Sequence, residues 1–166
     1  MAAGWAGCLT YPREVGLHLD GSLRHAFARE LTALRGRELL LGADLPPAYE
    51  IQADVRLREP DAEVTVHLGD TVTVCVNPAR GTLTLDRTAA PASATHPYSR
   101  TDSVTATAPS AAGGRLRILV DGPLLEVIWD ERAALTEKIH PAPHGAWSVA
   151  VSRSGADVEI TAWEHP

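Results

Sequence analysis

Apolar and polar positions alternate with a period of two along most of this chain. Tyr49, Ile51, Ala53, Val55 and Leu57 alternate with Glu50, Gln52, Asp54, Arg56 and Arg58. That pattern predicts a half-buried antiparallel strand, apolar on one face and charged on the other. Val64-Thr65-Val66-His67-Leu68 repeats it. Residues 71–76 and 82–85 flank Asn77-Pro78-Ala79-Arg80-Gly81, which predicts a hairpin with Gly81 supplying a positive φ. The densest strand signal covers 116–121 and 124–129 around Gly122-Pro123, then 133–139 after the turn Asp130-Glu131-Arg132. Residues 147–151 and 158–163 close the pattern around Ser154-Gly155.

The beginning of the chain reads differently. Leu9, Tyr11 and Val15 make a short strand-like pattern broken by Pro12. Residues 17–23 look like the end of one strand, a tight Asp20-Gly21 turn and the start of another. From 24 to 34 the period changes: Phe27, Leu31 and Leu34 recur at four and three residues, which predicts a short helix with Gly36 as its C-cap. Residues 88–114, rich in Ala, Ser, Thr, Pro and Gly, predict a long loop. Many short strands with regular turn signals describe a sandwich or a barrel. No repeat period of a propeller or solenoid is present.

Composition narrows the function classes. The chain has 166 residues, 45% apolar and 22% charged, enough for one domain with its own core. Lysine is scarce and there is a single phenylalanine, while Thr and Val favour strands. Fifteen Lys+Arg against twenty-one Asp+Glu give a formal net charge of −6, which argues against nucleic acid as a partner. No run approaches the roughly 20 apolar residues that span a bilayer, so no membrane partner is expected. Met1 to Gly7 carry no basic start before a hydrophobic run. The expected location is therefore cytoplasmic, with an upstream region carrying a signal left open. Cys8 and Cys75 make no disulfide framework and are expected to be buried free thiols.

Candidate chemistry is sparse. His140 and His144 stand four apart, but Pro141 and Pro143 forbid the helix that would align them as metal ligands. Neither a metal nor a cofactor is expected. Asp121 and Glu126 bracket a predicted hairpin and are the one carboxylate pair to consider, with a salt bridge or a solvated face as the plainer reading. No Gly-x-Ser-x-Gly turn and no phosphate-cradling glycine loop occurs. Trp129, Trp147 and Trp163 lie in or beside strands. Burial in the core is their ordinary reading, and stacking on a sugar, for Trp129 and Trp147, is the alternative.

Two stretches carry a resemblance. Residues 116–141, LRILVDGPLLEVIWDERAALTEKIHP, resemble the hallmark of the C-terminal β-sandwich of glycoside hydrolase family 32, the invertases, levanases and inulinases. Asp121, Glu126, Val127, Leu135, Thr136, Ile139 and Pro141 fall on that pattern, and Asp86-Arg87-Thr88 resembles the Asp-Arg-Ser closing an earlier strand pair. Residues 5–14, WAGCLTYPRE, resemble the last strand of the family's catalytic propeller, and residues 28–35 the helical linker that follows. Gly122-Pro123, Ile128 and the glycine-free Asp130-Glu131-Arg132 depart from the pattern.

The resemblance implies an all-β chain: residues 1–36 as propeller remnant and linker helix, and residues 37–166 as an antiparallel, jelly-roll-like β-sandwich. The family's three catalytic motifs, W-x-N-D-P-N-G, R-D-P and E-C, do not occur, so no residue is assigned a catalytic role. The resemblance implies a structural domain supporting a propeller that hydrolyses sucrose or fructans. A free-standing fructan-binding module and an accessory subunit are the alternatives. Asp121 and Glu126 would belong to an interdomain hairpin aimed at the propeller, solvated when the propeller is absent. The propeller, in the same or another chain, is the implied partner. Sucrose or fructan, and a second copy through an exposed apolar face, are the other partners left open.

Overall fold

The structure, a computed structural model, describes residues 8–89, 103–107, 113–139 and 147–166. Trp5, His140 and His144 lie outside these. β1 (Arg13–Leu17) and β2 (Leu23–Phe27) form a hairpin, followed by a 3-10 helix, Arg29–Leu34. The body comprises β3 (Ala48–Leu57), β4 (Glu63–Leu68), β5 (Val72–Asn77), β6 (Thr82–Asp86), β7 (Ser103–Thr107), β8 (Gly113–Asp121), β9 (Leu124–Trp129), β10 (Ala133–Lys138), β11 (Val149–Ser154) and β12 (Ala156–Glu164). These build two five-stranded antiparallel sheets, ordered β10-β9-β8-β3-β12 and β11-β4-β5-β6-β7. The expected all-β antiparallel sandwich is what forms.

One core fills the space between the sheets. The first sheet contributes Tyr49, Ile51, Ala53, Ile118, Val127 and Trp129, and the second contributes Val64, Val66, Val74, Leu83 and Leu85. Alternation along each strand puts these residues on one face. The sheets are also tied by a buried cation. Arg87, at the end of β6, donates to the Lys138 carbonyl at 2.8 Å and pairs with Glu137 at 2.9 Å, both on β10.

Two expectations change. The helix foreseen over 24–34 divides into strand β2 and the 3-10 helix. Residues 23–27 find ladder partners in 17–13, and backbone pairing overrides the coincidence of spacing. Phe27 and Leu31 still share a buried cluster, with Leu119 and Ile128, so the apolar pattern was real while its period misled. The loop foreseen over 88–114 contains β7, paired with β6 from Thr82↔Thr107 to Asp86↔Ser103. Val104 and Ala106 are its only residues packed on the core.

Candidate functional site

The face of the first sheet that points away from the core is covered by residues 8–36, here termed the arm. The ladders align one row across this face: Thr136, Glu126, Leu119, Glu50 and Trp163. Phe27 and Leu31 of the arm bury Leu119 at its centre. On either side of that apolar contact sits a glutamate with no exposed surface, Glu126 and Glu50. A buried carboxylate is tolerated only with charge and hydrogen-bond partners, and the arm supplies partners to both.

Glu126 receives the Tyr11 backbone N–H at 2.6 Å, and Arg13 is ion-paired with its other oxygen. The same guanidinium donates to Thr136 Oγ1 at 2.5 Å. Glu50 is gripped by Arg35 through two bonds, 3.1 and 2.7 Å, and by Arg117 Nε at 2.7 Å. His165 Nε2 lies 3.5 Å away. Burial alone pushes the Glu50 carboxyl up, but His165, Arg35 and Arg117 outweigh it and hold it at about 2. Tyr11 lies between the two glutamates. Its hydroxyl is pushed up to about 12, by burial first and then by Asp121, Glu126 and Glu50.

The guanidiniums double as packing surfaces. Arg35 lies 3.9 Å from the Trp163 ring centroid, and Arg117 and Arg13 lie 5.1 and 5.8 Å from that of Phe27, within cation–π range. The arm then runs beside β12: Gly36 N–H donates to the Glu164 carbonyl and Leu39 N–H to that of Ala162. The hairpin tip is held by Arg24 on Glu131 and Arg132 on Asp20.

Glu126 was expected to be solvated on its hairpin without a propeller. It is instead fully buried, because the arginine it needs comes from this chain's own arm. Asp121 shares the outer face with it but is exposed at the strand end. Trp129 is fully buried in the core and cannot stack on a sugar. Trp147 is half-buried with one face on Gly69, where an added Cβ would fall 3.0 Å from its Cδ2. Cys8 is exposed and Cys75 half-buried, correcting the expectation that both are buried. Cys8 lies outside any strand, and Cys75 is on the outer face of the second sheet.

Catalysis finds little support in this geometry. Glu50 and Glu126 lie two strands apart, roughly 10 Å by the strand spacing, but the arm seals both from substrate. Ser152 Oγ and His67 Nε2 come within 2.9 Å, on an open sheet face with no third group on the imidazole among the described residues. No cluster of His, Cys, Asp or Glu there is placed to hold a metal. What the sequence missed is Glu50, Arg35 and Arg13. The available signal lay in Leu124-Leu125-Glu126-Val127-Ile128-Trp129: a strand apolar on both faces is covered on both faces, so its lone acid must be buried and paired.

The architecture is a two-sheet antiparallel sandwich. A galectin from Caenorhabditis elegans superposes with TM-score 0.56 at 8% identity, over 80% of this chain and 94% of that one. More specifically, the family described as "Glycosyl hydrolases family 32 C terminal" matches residues 28–164. The chain belongs to this family. Sucrose-6-phosphate hydrolase from Lactobacillus gasseri is similar at 19% identity and TM-score 0.71, over 98% of this chain and 34% of that one. Exo-inulinase from Aspergillus awamori is similar at 14% identity and TM-score 0.72, over 95% of this chain and 35% of that one. The chain therefore spans about a third of the length of these two enzymes. No curated sequence matches it.

Proposed function

We propose that this chain is the non-catalytic C-terminal part of a β-fructosidase-type enzyme, supporting a catalytic propeller that hydrolyses sucrose or fructans in the same polypeptide. One observation carries the reading. Among the described residues, all eight large apolar side chains that are exposed, among them Leu9, Val15, Leu17 and Leu19, lie between residues 9 and 41. Such a group marks a contact surface; six of the eight, from Leu9 to Leu34, lie on the arm, and the family that the chain matches is a C-terminal one. The arm thus has two sides. One is fastened to the sandwich through Glu126 and Glu50, and the other presents leucines and valine to the propeller.

The test mixes the purified chain with a family 32 catalytic propeller prepared without its own sandwich. Association, with a rise in the propeller's melting temperature, is expected, and Leu17→Asp or Leu19→Asp abolishes both. The chain by itself releases no fructose from sucrose, inulin or levan. Absence of association, or association indifferent to both substitutions, overturns the reading. So does fructose release by the highly purified chain.

A further inference from the structure

Two of the eight exposed apolar side chains lie off the arm, and the support role proposed above leaves them unused. Leu40 and Leu41 are 81% and 45% exposed, on a turn closed by the Ala43 N–H on the Leu40 carbonyl at 3.2 Å. The turn is pinned at both ends. Leu39 donates to the Ala162 carbonyl of β12, and Leu45 to the Trp147 carbonyl just before β11; both leucines are buried in the core. Leu40 and Leu41 are therefore held at the side of the sandwich where β11 and β12 are the edges of the two sheets. Trp147, Val151, Val158 and Ile160 are half-buried along that side. We propose that a second copy of this chain docks here, its β11 pairing antiparallel with β11 about a two-fold axis.

The phase of the ladder leaves β11 with an open edge. Gly69 N–H donates to the Ser148 carbonyl at 2.8 Å, in register with the pairing of Val149 and Leu68. Antiparallel ladders bond alternate pairs. Ala150 and Ser152 thus turn their backbone groups to β4, while Val149, Val151 and Arg153 turn theirs outward, where no described residue bonds them. An open edge templates pairing unless cover or charge guards it. β12 is covered near its end by the segment that follows the arm, bridged at Glu38↔Trp163, and β10 carries Glu137 and Lys138. β11 carries one charge, Arg153.

That charge selects a second copy as the occupant. Among the described residues the Arg153 guanidinium pairs with no carboxylate and reaches only the Val158 carbonyl, at 3.3 Å. Pairing about Val151 sets Arg153 across from Val149 of the second copy, so the two cations do not oppose each other. It also sets Arg153 diagonal to Trp147 of the second copy, a distance that long and aromatic side chains span, where the indole can take the guanidinium on its face. Each copy gives and receives the same contacts, as a two-fold interface requires. A strand ladder alone is small beside the roughly 800 Å² per partner of stable interfaces. Leu40, Leu41 and the half-buried strip of each copy widen it. Since β11 belongs to the second sheet, the arm's outward side stays free for a propeller.

The test is sedimentation of the full chain over a range of concentrations, with amide exchange measured on the same samples. A dimer is expected. The amides of Val149, Val151 and Arg153 slow as concentration rises, while those of Ala150 and Ser152, already turned to β4, change little. Val151→Pro removes an outward N–H and no ladder bond, and weakens dimerisation at least about tenfold. Leu40→Asp, at an exposed site, does the same and serves if the proline disturbs the strand. Leu17→Asp and Leu19→Asp, on the arm, leave the dimer intact. A chain that stays monomeric at millimolar concentration overturns the proposal. So does a dimer indifferent to both Val151→Pro and Leu40→Asp, or one whose concentration-dependent protection falls on β1 or β7. None of these outcomes bears on association with a propeller, so the two readings fail separately.

Discussion

The two faces of the sheet β10-β9-β8-β3-β12 are both buried, yet they are held by different physics. The inner face presents Tyr49, Ile51, Ile118, Val127 and Trp129 to the other sheet, an apolar contact with the Arg87–Glu137 pair beside it. The outer face presents Glu50, Arg117 and Glu126 around Leu119 and Ile128, and is closed by an arm that brings Arg13, Phe27, Leu31 and Arg35. Apolar burial is non-directional and sets how tightly the sheets adhere. Buried ion pairs contribute little net stability once desolvation is counted. What they add on the outer face is position. Glu126 takes its cation, Arg13, from the arm, and Glu50 takes Arg35 from it beside the sandwich's own Arg117, so the two pairs together fix where the arm seats. A segment that must present a surface to another domain needs that definition more than it needs extra adhesion.

The largest effect should come from the inner face. Trp129→Ala removes a fully buried indole, and its denaturant midpoint should fall by the equivalent of about 3–5 kcal/mol. A loss below about 1 kcal/mol would show that the faces do not differ as described.

Acid should act on the outer face next. The Glu50 carboxyl is held at about 2 against its ordinary 4.5. A carboxyl depressed in the folded state stabilises it fully above the unfolded value. That stability is lost as pH falls from about 4.5 through about 2, and amounts to about 3 kcal/mol. Urea midpoints across this window should fall in the wild-type chain and stay flatter in Glu50→Gln. Parallel profiles would remove Glu50 as the acid-sensitive contact.

Arg13→Ala is a subtler break. It leaves Glu126 without its cation, but the penalty is capped, because the arm can lift and let water reach the carboxylate. A charged hydrogen bond of this kind is worth about 1.5–3 kcal/mol. That amount should appear as faster amide exchange in residues 8–36, while the global midpoint and the exchange of β3 and β8 hold. If the whole domain is destabilised together, arm and sandwich are one cooperative unit.

The same contrast explains what was legible in the sequence. Inner-face strands announce themselves because one face is apolar and the other is not: β3, β4, β5 and β6 alternate cleanly. β7 does not, since Val104 and Ala106 are its only inward residues and its Ser and Thr merge with the surrounding Pro-rich composition. The candidate site was legible only in part. Glu126 stood out as the single acid in an apolar run, but Glu50 sits in a regular alternation that reads as a solvated face. Only the arm's return over the sheet turns that face into an interior, and this is a long-range contact that no local period encodes. The hairpin tells the same story, for the spacing of Phe27 and Leu31 reports a buried cluster without saying which backbone delivers it.

The smallest expected effect falls on the arm's outward side. Leu17 is 71% exposed, and Leu19 and Val15 are exposed as well. Leu19→Asp should therefore move the midpoint of the isolated chain by no more than about 0.5 kcal/mol. In a stability assay Leu19 looks dispensable, whereas Trp129 looks indispensable. In an association assay the ranking reverses: Leu19→Asp loses the propeller, and a conservative Trp129→Phe that still folds keeps it. Measuring both variants in both assays separates the residues that hold the domain together from those that make it useful to another. If Leu19→Asp unfolds the arm while leaving propeller association intact, the outward leucines are packing groups and the contact surface lies elsewhere.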